Sequence, residues 1–356
     1  MTDVQPTYGS QGDRLEPRRI SRRQLLSTLP VALIAPRLLA QATPPPIQVR
    51  RLTHFTLNVS DVKRSVDFYQ GLFGMPVQAR QGSTVLLRIG SGPQFLALSP
   101  TGAGPTRIDR FGLSVQNFDA DRVLQQLAAH GISAGDASSE SLSGGPMRAR
   151  IVTRGTTREL YFGDPDGIVV QLQDTTYCGG GGVQGNTCGA PEASPKKGLL
   201  AVRDLSHLTV FGQDAQRSNA FYQRVFGLNV QARQGPTAPL LGVGDKIQFL
   251  MFAGGFAGRG GGQPRPASIN HLCMNMDGFD RDGILKTLES YGIKPRGDTP
   301  GTPPLISYVS TRMPNRGGAP EGTPELYFTD PDGLLIQLQD VRYCGGSGYL
   351  GDVCAG

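Results

Sequence analysis

Tryptophan is absent from this 356-residue chain, histidine occurs only four times, and the most apolar stretch, residues 25–39, is interrupted by Pro30, Pro36 and Arg37. A membrane-spanning helix needs about 20 consecutive, mostly apolar residues, which excludes this stretch as a span. The apolar fraction of 38% is enough for ordinary globular cores and too low for a multi-span membrane protein.

Several motifs of known chemistry are also missing. The sequence has no nucleophile elbow, Walker loop or dinucleotide fingerprint, and its cysteines lack the C-x-x-C spacing of four-cysteine zinc sites. The net charge is +6, and it falls to about +3 without residues 1–42, which hold six Arg and three acidic residues. A nearly neutral surface without a basic stripe argues against a nucleic-acid partner.

The N-terminus has the anatomy of a signal peptide. Arg22 and Arg23 precede the apolar stretch, and Ala40-Gln41-Ala42 follows it. A charged start, a short apolar segment and an A-x-A end are typical of signal peptides, and the paired arginines resemble the bacterial Tat signal. We therefore predict export by the twin-arginine route to the periplasm or the medium, with no stable membrane insertion after cleavage before Thr43. The alternatives are a basic tail and a retained anchor.

Four of the five cysteines form two pairs with the same spacing. Cys178 and Cys188 are ten residues apart, as are Cys344 and Cys354, and each pair encloses a glycine-rich loop. In an oxidising compartment we expect each pair to form a disulfide, which would stabilise the fold by about 2–3 kcal/mol in the chain-entropy model. Cys273 is predicted to remain free.

The cysteine pairs follow two near-copies of one phrase, ELYFGDPDGIVVQLQD at residues 159–174 and ELYFTDPDGLLIQLQD at residues 325–340. The repeat extends to LTHFTLNV and LSHLTVF, and to DFYQGLFG and AFYQRVFG. Self-similarity on this scale indicates duplicated domains. We predict the following organisation: signal peptide 1–42, first domain 52–175, Gly/Pro-rich linker with a cysteine loop 176–202, second domain 203–341, and cysteine-stapled tail 342–356.

Strands and helices alternate within each copy in the order β-α-β-β-β, twice over. These motifs resemble the vicinal oxygen chelate superfamily, which contains glyoxalases, bleomycin-resistance proteins and extradiol dioxygenases. The resemblance rests on the histidine in the first strand, the helix with Phe-Tyr and a terminal Gly, and the strand–DPDG–strand hairpin. It implies an α+β fold of tandem domains, in which paired βαβββ modules form cup-shaped mixed sheets, often with a divalent metal inside.

Strand alternation indicates which side chains face the cups, because successive residues point to opposite faces. Metal ligands of the family come from the first strand of each module and from the last strand. Carried over position by position, the resemblance implies a metal site in the second cup at His207, His271 and Gln337. Metal-dependent relatives usually have Glu where this chain has Gln337, so we expect weaker metal binding.

The first cup has a cation at one of these positions. Arg110 stands where the second copy has a histidine, and a guanidinium has no lone pair for a metal. We therefore predict that the first cup binds substrate through Arg110, His54, Gln171 and Tyr161. The alternative for Arg110 is an ion pair with a neighbouring acid.

Two classes of function remain open because a fold does not fix a function. One is an exported enzyme that uses Fe, Mn, Zn or Ni in the second cup to act on a small oxygen-bearing substrate, as a dioxygenase, lyase or isomerase. Its candidate catalytic residues are Tyr327 and Glu325, although a salt bridge is the alternative for Glu325. The other is a metal-free protein that binds or sequesters a small molecule, of the bleomycin-resistance type. A purely structural scaffold is a third alternative, and self-association is left open.

Overall fold

The computed structural model describes residues 44–354 except 137, 236–237, 246 and 255–265. The predicted signal peptide lies outside the described residues. From Pro44 onward the chain forms one compact unit. No helix in the described part is long and apolar enough to span a membrane.

The first domain is a nine-stranded mixed sheet with two helices, in the strand order β2-β3-β4-β1-β5-β9-β8-β7-β6. Its elements are β1 (Val49–Val59), α1 (Val62–Phe73), β2 (Val77–Gln81), β3 (Thr84–Arg88), β4 (Phe95–Pro100), β5 (Arg107–Val115), α2 (Ala120–Ala129), β6 (Ser133–Ala134), β7 (Arg148–Arg154), β8 (Thr157–Gly163) and β9 (Val169–Asp174).

The second domain repeats this topology, in the order β11-β12-β13-β10-β14-β18-β17-β16-β15. Its elements are β10 (Val202–Phe211), α3 (Ala215–Phe226), β11 (Val230–Arg233), β12 (Pro239–Gly242), β13 (Phe249–Ala253), β14 (Ser268–Met276), α4 (Arg281–Ser290), β15 (Lys294–Pro295), β16 (Ile306–Arg312), a 3-10 turn (Pro314–Arg316), β17 (Thr323–Thr329) and β18 (Leu335–Asp340). Each domain therefore has its own sheet, and the expected α+β duplication is confirmed.

The sequence signals at the helix ends have local physical causes. Asp61 and Asp214 are the N-caps of α1 and α3, and their carboxylates accept backbone N–H groups of the first turn. Gly74 and Gly227 end the same helices at φ 66° and 65°, a left-handed conformation that favours glycine. Each helix is thus terminated where the phrase DFYQGLFG or AFYQRVFG ends.

The DPDG turns join the two domains. Asp330 accepts a hydrogen bond from the Tyr69 hydroxyl of α1 at 3.1 Å, and Asp164 accepts one from Tyr222 of α3 at 3.3 Å. Buried apolar residues of both domains also form one continuous core. The sequence assigns these motifs only a turn, whereas the structure shows each turn docked on the helix of the other domain.

Both predicted disulfides, Cys178–Cys188 and Cys344–Cys354, are present, and Cys273 is free and buried. His130 is the one histidine that the sequence does not place in a cup. Its position suggests that it caps the C-terminal end of α2. It does occupy the C-cap, but its ring Nε2 lies 3.2 Å from the carbonyl oxygen of Pro45. The ring therefore contacts the N-terminal segment instead of the helix carbonyls.

Candidate functional site

Three adjacent strands bring the predicted metal ligands together in the second cup. His207 lies on β10, His271 on β14 and Gln337 on β18, in the middle of the sheet. All three side chains are buried, and they line a cavity of about 210 Å³. The two imidazole centroids are 5.6 Å apart, and His207 Nε2 lies 3.0 Å from Gln337 Oε1.

The hydrogen bonds of His271 fix its tautomer. Its Nδ1 lies 2.9 Å from Asn270 Oδ1, an oxygen that only accepts, so Nδ1 carries the proton. The lone pair is then on Nε2, which is buried and has no hydrogen-bond partner among the described residues. His207 Nδ1 lies 3.1 Å from the Ser206 hydroxyl, which can donate or accept.

Both imidazoles are neutral near neutral pH. Burial lowers the pKa of His271 to about 4. Burial, together with the proximity of His271, lowers the pKa of His207 well below its usual value. Metal-binding histidines must be deprotonated at the ligating nitrogen. His271 Nε2 meets this requirement. His207 Nε2 donates to Gln337 Oε1, so its proton must first move to Nδ1, where the Ser206 hydroxyl can accept the hydrogen bond.

A buried ion pair supports the wall of this cup. Arg312 Nε donates to Glu325 Oε1 at 2.8 Å, and the Tyr343 hydroxyl donates to the same oxygen at 3.0 Å. The Tyr327 hydroxyl lies 3.4 Å from Oε2. The Glu325 carboxylate thus accepts hydrogen bonds from one arginine and two tyrosines. The salt bridge with Arg312 is the alternative role that the sequence analysis gave to Glu325.

Aromatic rings line the same wall. Tyr327 meets His271 edge-on at 5.3 Å between centroids, and Tyr308 stacks on Tyr327 at 5.1 Å. Burial raises the pKa of Tyr327 well above its usual value, so its hydroxyl remains a proton donor. Phe249 stacks on His207 at 4.2 Å from the opposite side and fixes the plane of that ring.

The sequence analysis did not single out Arg312, Tyr308 or Tyr343. One signal was available for Tyr343, which directly precedes Cys344 just as Tyr177 precedes Cys178. Arg312 is not recognisable from the sequence because its partners lie on other strands and on the disulfide loop, where it donates to the carbonyl of Gly346 at 3.0 Å.

The first cup has the same framework with one exchanged residue. His54 Nε2 lies 3.1 Å from Gln171 Oε1, and burial lowers the pKa of His54 to about 3. Arg110 pairs with Thr56 across the strands as His271 pairs with Thr209. The guanidinium therefore takes the place of the second imidazole.

Arg110 contacts an acidic and an aromatic side chain. Its Nη1 donates to Asp109 at 2.8 Å, and its guanidinium carbon lies 5.9 Å from the ring centroid of Tyr161. The Tyr161 hydroxyl donates to Glu159 at 2.9 Å. Arg110 Nε is buried and has no hydrogen-bond partner among the described residues. Arg110 thus forms an ion pair with Asp109, which is the alternative role named in the sequence analysis. Its Nε–H group remains without a partner in the described part of the chain.

Two nine-stranded domains of the same topology, each with a histidine and a glutamine inside its cup, define the fold class of the protein. Residues 51–172 match the family described as Glyoxalase/Bleomycin resistance protein/Dioxygenase superfamily. The match lies in the first domain, and the second domain repeats the topology of the first. No curated protein matches the sequence.

Solved structures share the fold over most of the chain. The chain is similar to the Mn(II)-bound glyoxalase from Novosphingobium aromaticivorans, with 17% identity, a TM-score of 0.55 and coverage of 82% of both chains. It is similar to catechol 2,3-dioxygenase, with 16% identity, a TM-score of 0.53 and coverage of 85% of this chain and 93% of the other. An extradiol ring-cleaving dioxygenase from B. fuscum has 16% identity, a TM-score of 0.55 and coverage of 83% and 74%. At these identities the likeness shows the fold alone.

The two imidazole nitrogens and the amide oxygen of the second cup suit a divalent metal that prefers nitrogen and oxygen ligands. Among the described residues no three side chains of His, Cys, Asp or Glu converge, so a site here requires the amide oxygen of Gln337. The buried lone pair of His271 Nε2 without a partner is the feature that a bound cation would satisfy.

Proposed function

We propose that this protein is an exported enzyme of the superfamily that holds one divalent metal in its second cup and acts on a small oxygen-bearing substrate. The observation that carries the proposal is the tautomer of His271. A buried imidazole nitrogen whose lone pair has no partner costs free energy unless a ligand binds it. His271 lines the same cavity as His207 and Gln337.

The residues have distinct roles in this proposal. His207, His271 and Gln337 hold the ion, which supplies Lewis acidity toward substrate oxygen atoms when bound. Without substrate, the Tyr327 hydroxyl donates its single proton to Glu325 at 3.4 Å, and it turns to donate to a substrate oxygen when one binds. Arg312 holds the Glu325 carboxylate in place through the 2.8 Å contact, so Glu325 acts as a positioning residue.

The amide at Gln337 indicates which substrates suit the site. Two imidazoles and an amide bring no negative charge, so a bound divalent ion keeps its full charge in a poorly solvated cavity. An oxygen ligand that binds as an anion supplies the missing charge. We therefore propose substrates with an ionisable oxygen, such as an enol, phenol or carboxylate. A glyoxalase that binds Mn(II) and ring-cleaving dioxygenases among the structural neighbours support this class.

Metal-free binding of a small molecule is the second candidate, and the first cup favours it. There the same histidine–glutamine contact, at 3.1 Å, forms beside the guanidinium of Arg110, so this pair does not depend on a metal. In this candidate Arg110, with its unused Nε donor, and Tyr161 contact an anionic ligand in the first cup.

Metal analysis of the purified protein distinguishes the candidates. We expect about one ion per chain after reconstitution with Fe(II), Mn(II), Zn(II) or Ni(II), because only the second cup offers three lone-pair donors. His271→Ala should abolish binding, and the matched change His54→Ala in the first cup should not. Metal that persists in a His207/His271 double variant would contradict the proposed ligands, and no metal after reconstitution would favour the binding-protein alternative.

We also propose export by the twin-arginine route. Two disulfides in the described chain support an oxidising destination. N-terminal sequencing of periplasmic or secreted protein should give Thr43 as the first residue. An unprocessed cytoplasmic product would contradict the proposal.

A further inference from the structure

The two domains differ at one sheet edge, although the edge strands have the same sequence. Val77 begins VQARQ in β2, and Val230 begins the same five residues at β11. In the first domain the segment after the disulfide covers this edge. Val77 N–H donates to the Glu192 carbonyl at 2.8 Å and Glu192 N–H donates back at 2.8 Å. The Glu192 carboxylate also pairs with Arg80 at 2.7 Å.

Among the described residues, no segment covers the equivalent edge of the second domain in this way. Asn229 accepts from Gly242 N–H at 2.9 Å just as Pro76 accepts from Arg88 at 2.9 Å, so the two edges have the same register. Within the described chain, which ends at Cys354, the backbone of Val230 makes no hydrogen bond outside its own sheet. An unpaired row of N–H and C=O groups is a template for another strand.

The side chains beside this edge repeat the chemistry of the first domain. Arg233 occupies the position of Arg80, is exposed, and has no ion-pair partner among the described residues. A groove of about 600 Å³ runs along β11, and its lining includes Val230, Val353 and Cys354. Val353 is 61% exposed. The edge therefore offers backbone donors and acceptors, an apolar floor and one free cation.

We propose that β11 is a docking edge for an extended peptide strand that carries a carboxylate and belongs to a partner protein. The template is the chain's own residues 189–194, in which one residue supplies both backbone hydrogen bonds and the carboxylate. A partner strand would join the second sheet by β-augmentation, with main-chain bonds giving affinity and side chains giving specificity. The same segment of a second copy is not the occupant, because it is engaged on its own β2.

A labelled peptide that copies residues 189–194, Gly-Ala-Pro-Glu-Ala-Ser, tests the proposal in solution. We expect saturable binding in fluorescence anisotropy, weakened about threefold to fivefold by Arg233→Ala or by Gln in place of the peptide's Glu, as suits an exposed ion pair. Arg148→Ala, which removes an exposed arginine of the first domain, should have no effect. A peptide N-methylated at Glu should not bind, because it lacks the backbone donor.

Other outcomes would overturn the proposal. They are the absence of saturable binding, equal binding of the N-methylated peptide, and a concentration-dependent dimer that Val230→Pro abolishes. The last would identify a second copy as the occupant.

A graft supplies a second measurement that does not depend on the affinity of a free peptide. Ala355 and Gly356 are replaced by the same six residues, so that Glu follows Cys354 at the distance at which Glu192 follows Cys188. Tethering gives an effective concentration in the millimolar range. We expect hydrogen exchange of the Val230 amide to slow at least about tenfold, and Arg233→Ala to reduce this protection. Unchanged exchange at Val230 in the graft would show that the edge does not accept a strand.

Discussion

At the scale of single residues, Gln337 decides the electrostatics of the second cup. It keeps an oxygen donor inside β18 but brings no charge, and its Oε1 accepts a hydrogen bond from His207 Nε2 at 3.0 Å. A carboxylate at this position would complete the two-histidine, one-carboxylate set that suits Fe(II). We therefore expect the amide to weaken the proposed metal binding and to make it more dependent on an anionic substrate.

Gln337→Glu should tighten the binding of Fe(II) or Mn(II) by about tenfold or more, which corresponds to about 1.4 kcal/mol or more. The reason is the added negative charge next to a divalent ion in a buried cavity. Competition with a chelator of known affinity measures the change. Gln171→Glu in the first cup is the control and should give no metal site, because Arg110 lies beside it. Equal or weaker binding in Gln337→Glu would contradict the assignment of this residue as a ligand.

His271 should also give the metal-free protein a specific pH dependence. Burial lowers its pKa to about 4 in the fold, below the value of about 6.5 for an unfolded chain. As the pH falls from about 7 to about 4, the unfolded state binds the proton first, so the fold loses stability through this group.

We expect the free energy of unfolding to fall less over this window in His271→Asn than in the unchanged protein, as measured by denaturant titration at several pH values. Asp164 acts in the opposite direction, because burial raises its pKa to about 7. It is present in both proteins, so the difference between them isolates His271. Parallel stability curves would contradict the prediction.

At the scale of elements, the DPDG turns show how one motif can have two roles. Its proline and glycine give the turn, as the sequence predicts. Its first aspartate also accepts two backbone N–H groups, which for Asp330 come from Asp332 and Leu334, each at 2.9 Å. The remaining oxygen of Asp330 receives the hydroxyl of Tyr69 from the other domain. The turn is therefore both a hairpin and an interdomain contact.

Tyr69→Phe should lower the free energy of unfolding by about 1–3 kcal/mol, because it leaves a buried carboxylate oxygen without its donor. Urea denaturation measures this loss. Tyr349→Phe is the control, since Tyr349 is 44% exposed and surface changes usually stay within about 0.5 kcal/mol. A loss no larger than that of the control would show that the hydroxyl contact does not stabilise the docked turn.

The sequence predicted the elements and the positions of His207, His271 and Gln337 because these depend on periodicity and on an internal repeat. It predicted the disulfides for the same reason. It could not predict that Arg312 would form an ion pair with Glu325, or that Glu192 would form a backbone bridge to Val77 in β2. Those contacts join residues that are distant along the chain, and their meeting depends on how loops return to the sheets. The Gly- and Pro-rich composition of residues 176–202 does not show whether the segment is a flexible linker or pairs with the edge strand of a sheet.

At the scale of the whole molecule, two cups of one ancestry differ at a single ligand position. The ion pairs in the two walls correspond, with Arg154 Nη2 2.8 Å from Glu159 in the first cup and Arg312 Nε 2.8 Å from Glu325 in the second. The difference between Arg110 and His271 then accounts for the proposed division of roles. One cup suits a cation, and the other suits an anion.

Arg110→His should raise the metal content from about one to about two ions per chain after reconstitution, because it gives the first cup the donor set of the second. Elemental analysis of the purified variant measures this. Arg110→Ala is the matched control, since it removes the guanidinium but adds no donor, and it should stay at one ion. A content of one ion in Arg110→His would mean that the wall residues Tyr308 and Asn270 are also needed.

The docking of α1 on the second domain has a consequence for any attempt to divide the protein. Phe328 lies on β17 between Tyr327 and the DPDG turn, and its ring contacts Phe73 of α1 at 6.1 Å between centroids. Phe68 contacts the same ring at 6.4 Å. A gene fragment that encodes only the second cup would leave Phe328 open to water on the back of the strand that carries the proposed catalytic tyrosine. The first domain thus also supports the fold of the second, and we expect the proposed enzyme to need the full duplicated pair.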